Sequence, residues 1–537
     1  MPISISSPSR NLFLLGSVGG EVITNFFRTV NKYSTTANPN PQDYTYSPTE
    51  IRYNFTDQKF LLAGSKISGI TDKYEGWIEK RTGANATSNL DNQLDVEIGI
   101  SGGEEDIELM CMELDNSNNI LAAGRVGDVP FVSRYTNSGN LQWQSTTNSG
   151  NVTYTGLAVD SNNNIYAAGS LLDYNGNTHA FIEKFDSNGN PGWGKSAYFL
   201  GNILGVHKIA ANSRGEVVAV GTLDDDNHAR GYIVKINTNT GDVMWDKTLE
   251  SSEKMPFTFG NRAISCEDVF IDSNDQIYIV GRGKGFSSNV GFIVKMTAEG
   301  NIIWQKQTPT NKDIAFWNVK SDGETEQTIV LGDYHDSNGD QYGLLSKYAK
   351  NGDLVWRRVI YSSYIAPNNS TTSYGNRIPS KYGGGVNLDA DPSFYYLLST
   401  DEPWYSNQKP KTFHFGKVST SGNGLGNFEY DNGNNETFYY EIEPIEDEIG
   451  RLDDNSVRND TSDFITYPFN ATKILFDDLA TRVDNKKRHS DSLGFEYSGS
   501  PAIRPVDFQE LNLLGDVYSG SGDWLDQSGK GNDGVIN

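Results

Sequence analysis

One unit of roughly fifty residues repeats along this 537-residue chain, and nothing else in the sequence restricts its folding as strongly. The clearest copy is GLAVDSNNNIYAAGSLLDYNGNTHAFIEKFDSNGNPGWGKS, residues 156–196. Its four short runs alternate apolar and polar residues, and Asn, Asp and Gly cut each run short. That is the signature of consecutive antiparallel hairpins. The second run of the unit ends on glycine at Gly16, Gly64, Gly124, Gly169, Gly221, Gly281 and Gly332, with a degenerate copy ending at Ser399. Successive copies lie 45 to 67 residues apart, and the uneven steps place insertions in loops.

The third run is the most regular. It reads WIEKR at 77–81, FVSRY at 131–135, FIEKF at 181–185, YIVKI at 232–236, FIVKM at 292–296 and LLSKY at 344–348, with TVNKY at 29–33 and HFGKV at 414–418 as outer copies. Each carries Lys or Arg at its fourth position. A ring of cations gripping an anion would explain this. So would a structural role, in which each stem covers an aromatic ring while its head reaches water, and a feature present in every unit favours the second. The fourth run carries Trp143, Trp193, Trp245, Trp304 and Trp356, spaced 50, 52, 59 and 52 residues apart, with Phe428 in the last copy. Tryptophan at one fixed position gives neighbouring sheets something large to pack on, and a buried row is expected rather than an exposed carbohydrate-stacking one.

Four-stranded units of this length predict an all-β fold, a β-propeller of seven or eight blades. Eight repeat copies favour eight. Residues 157–196 resemble the bacterial seven-bladed propeller repeat "DxxGNIYVTGxT…DAFVxKLDxxGNxxWxK", and the resemblance extends more loosely over about 50–430. In such propellers an N-terminal strand often completes the last blade, and Ile3–Ser6 is the candidate here. The segment INTNTGDVMWDK at 236–247 resembles the tryptophan-docking motif of quinoprotein propellers. Those enzymes bring adjacent cysteines, whereas Cys111 and Cys266 lie far apart, so the likeness concerns blade packing and not a redox cofactor.

The expected organisation is a propeller over 1–430, an acidic connector over 431–515 with a helix near 472–486, and a third segment over 516–537. The helix rests on Ile474, Leu475, Leu479 and Val483, which share one helical face. Residues 431–537 hold 22 acids and 9 bases. The end, DWLDQSGKGNDGVIN at 523–537, resembles the opening of concanavalin-like and laminin-G-like modules, which implies that the native polypeptide continues or is cut here. None of that module's ligand residues can be carried over from so short a match.

A net charge of −25 disfavours nucleic acid and anionic membrane surfaces as partners. No run approaches the ~20 apolar residues of a membrane span, and the N-terminus lacks the features of a secretory signal. The six histidines form no metal pattern, Asp336–Asp340 lacks the Glu an EF-hand needs at the position of Lys347, and no nucleophile or phosphate-loop motif occurs. No cofactor, metal or catalytic residue is therefore expected. The reading is a non-enzymatic structural or adhesive protein of a tailed-phage virion. Its expected partners are other virion proteins, further copies of itself and a host-surface glycan or protein. The alternatives are a bacterial surface or secreted adhesin, and a polysaccharide-degrading propeller whose carboxylates converge at the channel.

Overall fold

In the computed structural model, backbone is described in segments between residues 26 and 535, and side chains in segments within 48–358. Among the described residues, six blades are each formed by four consecutive antiparallel strands. Blade 1 comprises Tyr44–Asn54, Lys59–Ser68, Tyr74–Thr82 and Leu94–Ile100. Blade 2 comprises Ile107–Leu114, Ile120–Val126, Val129–Tyr135 and Leu141–Thr146. Blade 3 comprises Val152–Val159, Ile165–Leu172, Thr178–Phe185 and Pro191–Phe199. Blade 4 comprises Ile203–Ala211, Glu216–Asp225, His228–Asn237 and Val243–Ser251. Blade 5 comprises Ile264–Ile271, Ile277–Lys284, Asn289–Met296 and Ile302–Gln307. Blade 6 comprises Asp313–Ser321, Thr328–His335, Gln341–Tyr348 and Leu354–Tyr364.

A composite sheet joins the two ends of the repeat region. Gly384–Leu388, Ser393–Asp401 and Lys411–Ser419 pair in order, and Phe26–Val30 adds to the outside of Lys411–Ser419, with Phe26 opposite Lys417. The strand Gly384–Leu388 packs against the first strands of both blade 6 and blade 1, which closes the ring. The expectation of seven or eight blades, each spelled by its own repeat copy, is corrected to six such blades. The reason is that the first and last copies share one sheet: Thr29 and Val30 of the first pair with His414 and Phe413 of the last. The fourth strand of that sheet comes from the N-terminal region, and Phe428 instead begins Phe428–Asp431, which pairs with Thr437–Pro444. Gly16, Ile3–Ser6 and residues 489–520 lie outside the described residues.

The helix expected near 472–486 is corrected over its described part, 474–478, while Leu479 and Val483 lie outside the described residues. Ile474–Asp478 is a strand paired antiparallel to the outer strand of blade 3, with Phe476 opposite Ala197. An outermost blade strand offers a row of unpaired N–H and C=O groups, and pairing with it outweighs the weak helical periodicity of a five-residue segment. Two more strands use the same device. Phe464–Pro468 extends blade 4, and Thr437–Pro444 extends blade 6. Of the last fifteen residues, Asp523–Trp524 and Gly534–Val535 pair as a minimal ladder.

The glycine ending each second strand has a steric cause. Every first strand carries a β-bulge, which pushes one backbone carbonyl toward that glycine. A Cβ on Gly169 would lie 1.8 Å from the Thr153 carbonyl oxygen, and one on Gly124, Gly221, Gly281 or Gly332 would come within 2.2 Å of the equivalent atom. In blade 1, Gly64 stands opposite Pro48 beside the same irregularity.

The tryptophans tie each blade to the next. Trp143, Trp193, Trp304 and Trp356 are buried, and Trp245 is partly so. The indole N–H of Trp143 donates to Ser187 O at 3.1 Å, that of Trp193 to Thr238 O at 3.0 Å, that of Trp245 to Ala298 O at 3.2 Å and that of Trp304 to Lys350 O at 2.9 Å. Each acceptor lies at the start of the turn between the third and fourth strands of the following blade. The third-strand cation reaches the same atom at three junctions: Arg134 donates to Ser187 O, Lys184 to Thr238 O and Lys235 to Ala298 O. Two donors on one carbonyl make a lock of indole, cation and turn. The turn glycine completes it, since a Cβ on Gly352, at φ +86°, would lie 2.7 Å from the Trp304 ring.

The cation heads were expected in water, and the structure corrects this. Lys80, Lys235 and Lys295 are buried, their charge met by Asp57, Glu216 and Glu326 from turns between first and second strands or their flanks. In two blades it is the ammonium head that sits over a ring, Lys184 Nζ 5.7 Å from the centre of Tyr166 and Lys295 Nζ 5.0 Å from that of Tyr278.

Trp193→Phe removes one donor and keeps most of the buried surface, so it is expected to cost about 1–2 kcal/mol in urea unfolding followed by circular dichroism. Lys184→Met removes the other donor. A double-mutant cycle should give a coupling of about 0.5–3 kcal/mol, because the two act on one carbonyl. Strict additivity would show that the lock is not a unit.

Candidate functional site

The charged groups that most resist a purely structural account sit on the first strands, around the ring axis. Aligned on the turn residue that ends each first strand (Asn54, Asp115, Asp160, Asn212, Asp272 and Asp322), the fourth position before it holds Glu50, Cys111, Gly156, Lys208, Asp268 and Asn318. The second position before it holds Arg52, Glu113, Ala158, Ala210, Phe270 and Lys320. Residues two apart in a strand share a face. The bulge lies immediately before the first of these positions, and it re-aims both toward the axis. A cavity of about 340 Å³ opens there, lined by Glu50, Arg52, Glu113, Lys208, Asp268 and Lys320 among others.

Three acids and three bases thus face one another in the channel. Glu50 is almost wholly buried and takes Arg52 Nη1 at 2.6 Å on one oxygen, while Lys208 binds the other from three blades away. Burial would raise the Glu50 carboxyl, but the charges of Arg52 and Lys208 overrule it and hold it below the usual carboxylate range. Burial would lower Lys208, but the attractions of Glu50 and Asp268 together hold it above its ordinary value. Arg52 also donates from Nε to both oxygens of Glu113 at 3.1 Å. A chain of ion pairs, Glu113–Arg52–Glu50–Lys208, therefore spans the channel.

Asp268 and Lys320 stand outside that chain. Asp268 Oδ2 accepts the Val319 N–H at 2.9 Å, and burial pushes its carboxyl up. The Lys320 ammonium lies 4.8 Å from the centre of the Phe270 ring. Burial, then the charge of Arg52, lowers its basicity. Cys111, also on this face, is buried and its thiol is pushed up to about 12 by burial, which makes it inert as a nucleophile.

A second cluster forms where the bulge residues of blades 4 and 5 meet. His207 Nδ1 lies 2.9 Å from Cys266 O and 3.3 Å from Glu267 Oε2, and Arg282 Nε donates to Glu267 Oε1 at 3.1 Å. The Arg282 guanidinium stacks over the Trp317 ring at 5.1 Å. Burial opposes ionisation of Glu267, but hydrogen bonding and charge from His207, with the charge of Arg282, bring its carboxyl down to about 2. The charged groups of this cluster are met by one another, while the buried Trp317 indole N–H has no hydrogen-bond partner among the described residues.

The sequence-selected residues lie elsewhere. Trp143, Trp193, Trp245, Trp304 and Trp356 and the second-strand glycines belong to blade junctions and bulges, away from the channel lining. The channel charges were missed by sequence reasoning. Their signal was present in the first strands, where IRYN, MELD, HKIAAN and VKSD interrupt apolar alternation with charge just before the turn. Among the described residues no cluster of His, Cys, Asp and Glu could hold a metal ion, and no helix is long and apolar enough to cross a membrane.

No protein-family model matches the chain, and no curated protein matches it. Solved propellers do. Sqt1 of Chaetomium thermophilum, bound to the N-terminus of the ribosomal protein L10, is 11% identical, with 74% of this chain and 97% of that one covered and a TM-score of 0.38. The phage phi92 endosialidase is 9% identical over 76% of this chain and 71% of its own, with a TM-score of 0.38. The polysaccharide lyase Uly1 is 10% identical over 70% and 88%, with a TM-score of 0.35. Identities and scores this low attach no activity, partner or substrate to this chain.

One carboxyl apart from the channel sets a pH dependence. Glu183 is fully buried in blade 3, where Tyr154 donates its hydroxyl to Oε2 at 2.6 Å and Oε1 has no partner. Burial pushes it up to about 7, against a smaller lowering by the Tyr154 hydrogen bond. Below about pH 4.5 folded and unfolded chains both hold this proton, and the group is neutral to stability. As pH rises toward about 7 the unfolded chain releases the proton first, so stability falls, and above that the loss is complete. Glu183→Gln should therefore be more stable than wild type at pH 8, by up to about 3 kcal/mol. The difference should vanish near pH 4 in unfolding curves taken across that range, and a pH-independent difference would refute the assignment.

Proposed function

We propose that this chain is a non-enzymatic structural and adhesive protein of a tailed-phage virion, a tail, fibre or baseplate platform for host attachment. The observation that carries the reading is the ion-paired channel. Glycoside hydrolysis needs two carboxyl groups flanking the scissile bond, one of them free to act as nucleophile or base. Glu50 and Glu113 are both committed to Arg52, and Glu50 to Lys208 as well, so two of the three acids at the axis brace the ring and Asp268 has no second free carboxylate opposite it among the described residues. A fold-level likeness to propellers does not by itself bring an activity. The locked blades give a rigid base, and the variable loops and outer strands are free to diverge as contact surfaces.

The virion setting is supported by the strongly acidic composition and by the resemblance of residues 523–537 to the start of a lectin-like module. Its partners in this reading are other virion proteins and further copies of the chain. Mass spectrometry of purified particles should find its peptides at the stoichiometry of a structural component, and their absence from clean particles would end the proposal.

One observation favours a second reading, a propeller that degrades surface polysaccharide. Asp268 is shifted up and Lys320 down, and opposed shifts in one cavity mark candidate acid and base groups. Incubation of the full chain with host envelope polysaccharide separates the two. The structural reading expects no new reducing ends and no unsaturated sugar products, whereas turnover abolished by Asp268→Asn would establish the enzyme.

A further inference from the structure

The channel holds two cations with donors that its acids leave unused. Arg52 spends Nε on Glu113 and Nη1 on Glu50 and the Ile51 carbonyl, while Nη2 has no partner among the described residues. Lys320 makes no ion pair among the described residues, and its ammonium sits over the face of Phe270. Burial first, and then the charge of Arg52, lowers the basicity of Lys320, against the attraction of Asp268, Glu113 and Glu50. Two like charges lining one cavity are relieved when an anion enters between them.

The anion is not phosphate-like. Glu113 and Asp268 line the same cavity, and a dianion would be repelled by both. Asp268 Oδ1 has no hydrogen-bond partner among the described residues and is an acceptor waiting for a donor, such as a hydroxyl. A site with two cationic donors, one free carboxylate acceptor and flanking Tyr53 and Phe270 suits a monoanion rich in hydroxyls. The cavity, about 340 Å³, is large enough for one sugar unit.

We propose that the channel binds a carboxylate-bearing sugar unit, its carboxylate held between Arg52 Nη2 and Lys320 Nζ and a hydroxyl donating to Asp268 Oδ1. The site rests on the reading of this chain as a propeller that binds and does not degrade, and it gives the platform a specific ligand class, uronic and related acidic sugars of a cell-surface polysaccharide. Charge-assisted pairing to two donors supplies most of the selectivity over neutral sugars.

The test is calorimetric titration of the full chain with D-glucuronate, D-glucose and inorganic phosphate in turn. Glucuronate should bind at least about tenfold more tightly than glucose, a difference of about 1.4 kcal/mol. Lys320→Met should weaken glucuronate binding by about tenfold or more, with Lys320→Arg staying within a few-fold of wild type. If Lys320→Met fails to fold, as judged by circular dichroism, Lys320→Gln takes its place. Equal binding of glucose, tighter binding of phosphate, or no glucuronate binding by wild type overturns the site and leaves the virion reading standing. Cleavage of a glucuronate-containing oligosaccharide would instead overturn the binding-only reading on which the site rests.

Discussion

The junction between blades depends on one carbonyl oxygen per turn that accepts an indole N–H and a cation from the preceding blade. Ser187, Thr238 and Ala298 supply it at three successive junctions. Everything else in the repeat serves this contact. The turn needs glycine because the indole packs against it, and the third-strand Lys or Arg is long enough to carry a donor to the same carbonyl. At Lys80, Arg134, Lys235 and Lys295 an acid beside the cation keeps a buried charge from standing alone, which would cost several kcal/mol. A propeller has no single core. Its apolar clusters lie between consecutive sheets, so the orientation fixed at one junction is transmitted to the next.

That transmission is what makes the channel possible. Six first strands brought to one axis with their bulges at the same level place charged residues opposite each other that are far apart in sequence. Glu50 and Lys208 meet in this way. The bulge has two effects at once. It excludes a side chain from the neighbouring strand, which is why glycine recurs there, and it turns the following residues inward. The structural signature and the channel lining are thus consequences of the same backbone irregularity.

How much of this is legible in the sequence follows from what repeats. The four-stranded unit and the cations recur in every copy, the tryptophans in five of them, and these could be read directly because each serves a junction between blades. The channel residues do not recur. Their two aligned positions hold Glu, Cys, Gly, Lys, Asp and Asn at one and Arg, Glu, Ala, Phe and Lys at the other, so a search for common features passes over them. The number of blades was misread for a topological reason, since the sharing of one sheet between Phe26–Val30 and Lys411–Ser419 leaves no local mark in either segment. The segment Ile474–Asp478 was misread because its edge partner, not its own periodicity, decides its conformation.

The composite sheet carries a consequence for the order of assembly. Phe26 cannot meet Lys417 until nearly the whole repeat region has been synthesised, so the nascent chain is an unfastened arc of blades with two exposed flanks for most of its translation. The entropy of bringing such distant segments together rises only slowly with their separation, so the clasp is not prohibitive to form. It can form only after the six blades have been made, and once formed it joins the two flanks to each other instead of to a neighbour's.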